Sequence, residues 1–258
     1  MWSDVDRPLN IAHRGASRIA PQNTLAAFRK ALEIGVDGIE LDVRLCADGV
    51  PVVIHDATVD ATTDGTGRVD ALTLGQLKQL DAGSSFDSSF AGERIPTLAE
   101  VLQILGDKLL LNIELKGIGP LDRGLEQVVV DLLQRYSLEP SALLSSFNLL
   151  ALRRVQQMTP GVSTGLLCAR GPLSVTRLGR FFMPEPITAL HPHHTIVNRR
   201  NVAWARARNL RVHAWTVDDI ADMRRLISCG VDGIITNVPD RLQRLLANPR
   251  ADQAEHRT

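Results

Sequence analysis

The chain has 258 residues, 44% of them hydrophobic and 22% charged, enough apolar matter for a sizeable core and no mark of disorder. Lys plus Arg and Asp plus Glu number 29 each, which leaves no basic face for a nucleic-acid backbone and argues against nucleic acid as a partner. Recognition of any phosphate must then come from a few placed cations.

In chain order, the opening MWSDVDRPLN holds two acids and no apolar run, which is not the pattern of a signal peptide. Short apolar runs follow: LNIA (9–12), DGIELDV (37–43), KLLLNIEL (108–115), ALLSSF (142–147), STGLL (163–167), TALH (188–191), RVHAWTV (211–217) and DGIITNV (232–238). Between them apolar residues fall at helical spacing, as with Leu25, Phe28 and Leu32, with Leu98, Val101, Leu102 and Leu105, and with Leu125, Val128, Val129 and Leu132. Eight strand candidates alternating with helices predict an α/β fold, a parallel sheet closed as a single (βα)8 TIM barrel, for which about 250 residues is ordinary. The barrel is expected to occupy 1–247, with a polar tail at 248–258. No run has the length of a membrane span, so no stable membrane anchor is expected.

Gly35-Val36-Asp37-Gly38-Ile39 recurs as Gly230-Val231-Asp232-Gly233-Ile234. Each copy reads as a helix ended by a glycine cap, with a buried strand beginning two or three residues later. After the first copy, Cys46-Ala47-Asp48-Gly49 precedes a second strand-like run, PVVIH (51–55). Asp-Gly between apolar runs signals a hairpin, so residues 51–54 are read as an arm folded back on the second strand. A turn centred on Asp48-Gly49 sets His55 opposite Asp42. Residues 56–96, rich in Asp, Thr, Ser and Gly, carry TTDGTG at 62–67 and a weak helical signal at 73–80. They are expected to form a small insertion over the barrel mouth. Cys46, Cys168 and Cys229 are too sparse for a disulfide framework or a zinc pair. Buried free thiols and a reduced, cytoplasmic location are the expectation.

In such a barrel the C-terminal ends of the strands face the active site. Those ends carry His13 and Arg14, Glu40 and Asp42, Glu114 and Lys116, and His213 and Trp215, with His55 and Asp56 closing the arm. Residues two apart on a strand share a face, so Glu40 points with Asp42 and Glu114 with Lys116. Acids inside runs as apolar as GIELDV and LLNIEL are costly unless neutralised. A divalent cation neutralises three converging carboxylates most readily, and all-oxygen ligation favours Mg2+ or Ca2+ over zinc. The alternative, ion pairing with Arg14 and Lys116 at a structural barrel end, leaves one acid over.

His13 and His55 suit general base and general acid, since an imidazole titrates near neutrality. Arg14 and Lys116 suit phosphoryl oxygens, the first as a fork and the second as a point charge. Trp215 either packs against a glycerol or alcohol moiety or is a rim aromatic of the core. His191, His193, His194 and His213 have no such partners and read as structural; the HPHH cluster has no fourth zinc ligand.

The ordered set HRGAS (13–17), PQNTLAAF (21–28), GIELDV (38–43), DGVPVVIHD (48–56), TTDGTG (62–67), RIPTLAEVL (94–102), IELK (113–116), AWTV (214–217) and DGIITNVPD (232–240) resembles the glycerophosphodiester phosphodiesterase family over nearly the whole chain. The resemblance implies His13 and His55 as acid and base, and one divalent cation on Glu40, Asp42 and Glu114. It also implies Arg14 and Lys116 on the phosphate and Trp215 on the substrate side. The implied reaction hydrolyses a small-molecule glycerophosphodiester to glycerol 3-phosphate and an alcohol. A lysophospholipase D, or a phospholipase-like lyase releasing a cyclic phosphate, is the second enzyme reading; a non-catalytic barrel binding a phosphorylated metabolite is the third. Two departures bear on substrate preference and activity: Gln22 where the family usually has Glu, and Ala61 where it often has Arg. Oligomeric state stays open.

Overall fold

All eight apolar runs form strands in the computed structural model, which describes residues 7–117, 124–169 and 187–248. The strands are β1 (Leu9–His13), β2 (Gly38–Leu45), β4 (Leu110–Leu115), β5 (Ala142–Ser146), β6 (Ser163–Cys168), β7 (Ala189–Pro192), β8 (Arg211–Ala214) and β9 (Gly233–Thr236). They pair in parallel in the order β1-β9-β8-β7-β6-β5-β4-β2, and β1 also pairs with β2, so the sheet closes on itself as a TIM barrel. Strands buried on both faces read as near-continuous apolar runs, which is why these segments stand out in the sequence. The expected tail and the stretch between β6 and β7 lie outside the described residues in whole or in large part.

Helices α1 (Leu25–Ile34), α3 (Leu98–Leu105), α4 (Leu125–Tyr136), α5 (Leu149–Met158), α6 (Arg199–Arg206), α7 (Ile220–Cys229) and α8 (Pro239–Ala247) lie around the barrel. Their ends follow local chemistry. Thr24 caps α1 and Asn148 caps α5 by accepting backbone N–H bonds, and Thr97 with Glu100 forms a capping box at α3. Gly35 and Gly230 end α1 and α7 at φ 76° and 81°, as the repeated pentapeptide predicts, and β2 and β9 start three residues after each. The two aspartates of that repeat do matching work. Asp37 accepts from the backbone N–H of Asn10 on β1 at 2.7 Å, and Asp232 from that of Val212 on β8 at 2.9 Å. The largest core cluster lies between the helices and the outer faces of the strands, with Phe28, Ile39, Leu41, Leu102, Leu111 and Ile113 in it. Each such side chain contributes about 1.5–3 kcal/mol by leaving water. A smaller cluster of Leu9, Ile11, Leu143, Ala189 and Ile235 fills part of the barrel interior. His191 and His213 are both fully buried and pack ring against ring, with His213 Nδ1 3.1 Å from His191 Nε2.

The hairpin arm is present, with a corrected register. Strand β3 (Pro51–Val53) runs antiparallel to β2, pairing Val43 with Val53 and Leu45 with Pro51. That register sets Ile54 against Asp42 rather than His55, and the Ile54 N–H donates to the Asp42 carbonyl at 2.9 Å. The cause is the turn. Cys46 pairs with Val50 around a three-residue loop, Ala47-Asp48-Gly49, with Gly49 left-handed at φ 73°. A two-residue Asp48-Gly49 loop would have shifted every pair by one.

Residues 56–96 form an insertion whose Val59, Val69, Leu77, Ala82 and Ile95 share a small core with Cys46, Val52 and Ile54 of the hairpin and its arm. Its one short α-helix, α2 (Leu74–Leu77), starts at a Thr73–Gln76 capping box within the predicted helical stretch. Cys46 and Cys168 are buried free thiols, whereas Cys229 is half-buried because it closes the outer helix α7. No helix among the described residues is long and apolar enough to cross a membrane.

Candidate active site

The C-terminal barrel ends bring six of the predicted residues into direct contact. His13 ends β1 and pairs in register with Glu40 on β2, while Asp42 pairs with Glu114 on β4. The period of two then points Glu40, Asp42 and Glu114 into the mouth, and donor oxygens of these three carboxylates lie within 4.8 Å of one another. All three are buried. Lys116 reaches back from the end of β4, its Nζ 3.0 Å from Asp42 Oδ1 and 2.7 Å from Glu114 Oε1.

Arg14 follows β1 in a left-handed conformation, φ 56°. Its backbone N–H donates both to the Glu40 carbonyl and to Glu40 Oε2, and its Nε is 3.1 Å from Asp42 Oδ2. Gln22 accepts from Arg14 Nη1 at 2.6 Å, so the amide oxygen still orients this guanidinium at the first departure from the family pattern. Asn23 donates from Nδ2 to Asp42 Oδ2 at 2.9 Å. Ala61, the second departure, is exposed in the insertion.

The charges do not balance evenly. Burial works against the Asp42 carboxylate, but Lys116 and Arg14 outweigh it and hold its pKa down to about 2. Burial, reinforced by the negative charge of Asp42, pushes Glu114 up to about 7; Glu40 is raised well above the usual carboxylate range by burial and then by Asp42 and Glu114. Three buried acids thus share two cations, Lys116 between Asp42 and Glu114 and Arg14 against Asp42. A hard divalent cation fits this donor set: it is all oxygen, buried, and short of positive charge at Glu40 and Glu114.

The two histidines are held differently. His13 Nδ1 lies 2.7 Å from the Asn237 side-chain oxygen, and its Nε2 lies 3.8 Å from Glu40 Oε2. Burial, with the charge of Arg14 beside it, lowers its pKa to about 4, so the ring is neutral. His55 follows the arm, half-buried, with Nδ1 2.7 Å from Asp56 Oδ1 and its carbonyl accepting from Arg44 Nε. Its pKa is lowered by burial, and Asp42 pulls the other way.

Trp215 stands apart on the rim. Its indole N–H donates to the His191 carbonyl, and its ring meets Phe147 and His193 edge to face at 5.7 and 5.5 Å. Phe147 is 47% exposed and lines, with Arg44, Glu114, Lys116 and the insertion residues Ala57, Arg68 and Val69, a cavity of about 520 Å³ beside the carboxylates. Sequence reasoning did not assign Asn237, Asp218 or Asn23. The first and last lie inside the motifs TNVPD and PQNT, so the signal was present without a role attached.

A model of the glycerophosphoryl diester phosphodiesterase family matches residues 13–241, which takes in every residue of this cluster. The chain belongs to that family. This phosphodiesterase is 44% identical over 241 residues to a glycerophosphodiester phosphodiesterase of Caldanaerobacter subterraneus subsp. tengcongensis, covering 93% of this chain and 98% of that protein. It is 35% identical over 250 residues to one of Bacillus subtilis, covering 91% and 85%. Among solved structures, an Oleispira antarctica phosphodiesterase in complex with the product sn-glycerol-3-phosphate superposes with a TM-score of 0.84 at 32% identity, over 93% of this chain and 97% of that one. The family enzymes thus share the barrel that positions the cluster here.

Proposed function

We propose that this enzyme hydrolyses small glycerophosphodiesters to glycerol 3-phosphate and an alcohol, with one divalent cation, Mg2+ or Ca2+, held by Glu40, Asp42 and Glu114. The observation that carries the reading is the buried carboxylate cluster with His13 Nε2 3.8 Å from Glu40 Oε2, Arg14 and Lys116 against Asp42, and His55 close enough to feel the Asp42 charge. A bound cation would stabilise negative charge developing on the phosphoryl oxygens. The product named for the Oleispira antarctica structure supports glycerol 3-phosphate as the retained half of the substrate.

In this reading the neutral His13 presents Nε2 as general base to the attacking hydroxyl. His55, in its imidazolium form with the Nδ1–H on Asp56, gives its Nε2 proton to the leaving alkoxide oxygen. Arg14 and Lys116 add positive charge next to the phosphate, and Trp215 with Phe147 offers an apolar rim to the organic part of the substrate. The attacking hydroxyl is that of water or of the substrate's own glycerol. The second case forms a cyclic phosphate first and is the lyase-like alternative. A cytoplasmic location and a soluble substrate complete the reading.

The test is release of glycerol 3-phosphate from glycerophosphocholine and glycerophosphoethanolamine with Mg2+, with Ca2+ and with EDTA. Turnover that EDTA abolishes is expected. A folded protein that releases nothing with either cation would sink the reading, and accumulation of a cyclic phosphate would select the lyase.

A further inference from the structure

We infer that Asn237, locked by Asp218, is a positioning residue that fixes His13 in the tautomer with its proton on Nδ1 and leaves the Nε2 lone pair facing the carboxylate cluster. The inference rests on the proposed role of His13 as base and says what makes that role possible.

One hydrogen-bonded chain runs inward from Asp218 through Asn237 to His13. Asp218 follows β8, and three donors converge on its carboxylate. The backbone N–H of Asn237 reaches Oδ1 at 2.8 Å, the Thr236 hydroxyl reaches Oδ1 at 3.1 Å, and Asn237 Nδ2 reaches Oδ2 at 2.7 Å. Only the NH2 end of an amide can face such an acceptor, so the Asn237 side chain has a single orientation. Its oxygen then points the other way. That oxygen accepts from Ser17 Oγ at 2.9 Å and lies 2.7 Å from His13 Nδ1. A carbonyl oxygen has no proton to give, so the proton in this bond belongs to Nδ1. In a neutral imidazole the lone pair then sits on Nε2, the atom 3.8 Å from Glu40 Oε2.

Barrel closure builds the arrangement. Residue 12 on β1 pairs with residue 236 on β9, so the next residues along, His13 and Asn237, stand side by side although 224 positions separate them in sequence. Asp218 joins from the neighbouring β8 crossover, where the Val217 N–H donates to the Ile235 carbonyl. Three consecutive strand ends thus hold one ring.

The experiment combines 15N imidazole NMR of His13, assigned with His13→Ala, and kcat and KM on glycerophosphocholine with Mg2+ or Ca2+. Asp218→Asn keeps the shape but removes the acceptor that orients Asn237. It should mix the His13 tautomers and lower kcat about 10- to 100-fold with little change in KM. The exchanged pair Asp218→Asn with Asn237→Asp reverses the outer bond and keeps an acceptor at His13 Nδ1, so it should restore both the tautomer and most of kcat. A folded Asp218→Asn enzyme with an unchanged tautomer and unchanged kcat overturns the inference. So does a folded exchanged pair no better than Asp218→Asn in both readouts. If the wild type turns over neither diester, the function fails, yet the tautomer shift in Asp218→Asn still decides the positioning by itself.

Discussion

Lys116 Nζ lies 2.7 Å from Glu114 Oε1, yet this contact leaves Glu114 far from neutralised, because the same ammonium stands 3.0 Å from Asp42 Oδ1. Burial and the Asp42 charge keep the Glu114 carboxyl up at about 7. A carboxyl raised in this way favours folding while it is protonated. That contribution is complete below its unfolded value and is lost as pH rises through about 7. Metal-free protein should therefore lose thermal stability between about pH 5 and about pH 8 more steeply than Glu114→Gln does, and excess Mg2+ or Ca2+ should remove the difference. Melts with and without EDTA read this directly; equal slopes in the metal-free pair would contradict it.

Glu40 shares the same deficit of positive charge, being raised by burial first and then by Asp42 and Glu114. Glu40→Gln should weaken divalent-cation binding by at least about tenfold, about 1.4 kcal/mol, in titration calorimetry at neutral pH. Unchanged affinity would remove Glu40 from the donor set.

His13→Ala and His55→Ala should each lower kcat by about 10²- to 10⁴-fold while leaving cation affinity and far-ultraviolet circular dichroism as in the wild type. Loss of cation binding in either variant would mean that the histidine acts through the carboxylates rather than on the substrate.

The Gln22 oxygen, 2.6 Å from Arg14 Nη1, does the orienting that a carboxylate would do at this position. Hydrogen bonds to charged groups contribute about 1.5–3 kcal/mol, and the half-buried setting of Gln22 argues for the lower end, so Gln22→Leu should raise KM about tenfold. Gln22→Glu keeps the acceptor and should keep KM near the wild-type value. Steady-state kinetics on glycerophosphocholine compares the two, and a Gln22→Leu enzyme with unaltered KM would detach this contact from substrate binding.

Gly165 makes room for the buried His191 ring: a Cβ there would stand 2.7 Å from His191 Nε2. Gly165→Ala should cost about 1–3 kcal/mol, whereas Gly161→Ala, with nothing within 4 Å, should change the melting temperature far less. Equal melting temperatures would show that the interior yields more readily than its packing implies.

Much of this was legible in the sequence because it depends on short periods. The pairs Glu40/Asp42 and Glu114/Lys116 share faces through the two-residue repeat of a strand, and GVDGI marks helix ends through the left-handed glycines at 35 and 230. Eight apolar runs declared the barrel, and its C-terminal ends then named the residues that cluster. The arm was foreseen, but its register depended on whether Ala47 joined Asp48-Gly49 in the loop as a third residue, which the Asp-Gly pair alone does not specify.

Tertiary structure alone decided which partners the charged groups take. Lys116 chooses Asp42 as well as Glu114, Gln22 takes Arg14, and Asn237 takes His13 across 224 positions of sequence. The sequence by itself determined which side chains face inward, since that follows from backbone geometry over a few residues. Their mutual distances, and with them the pKa of about 7 at Glu114 and about 4 at His13, follow only from closing β1 onto β9 and from removing these groups from water together.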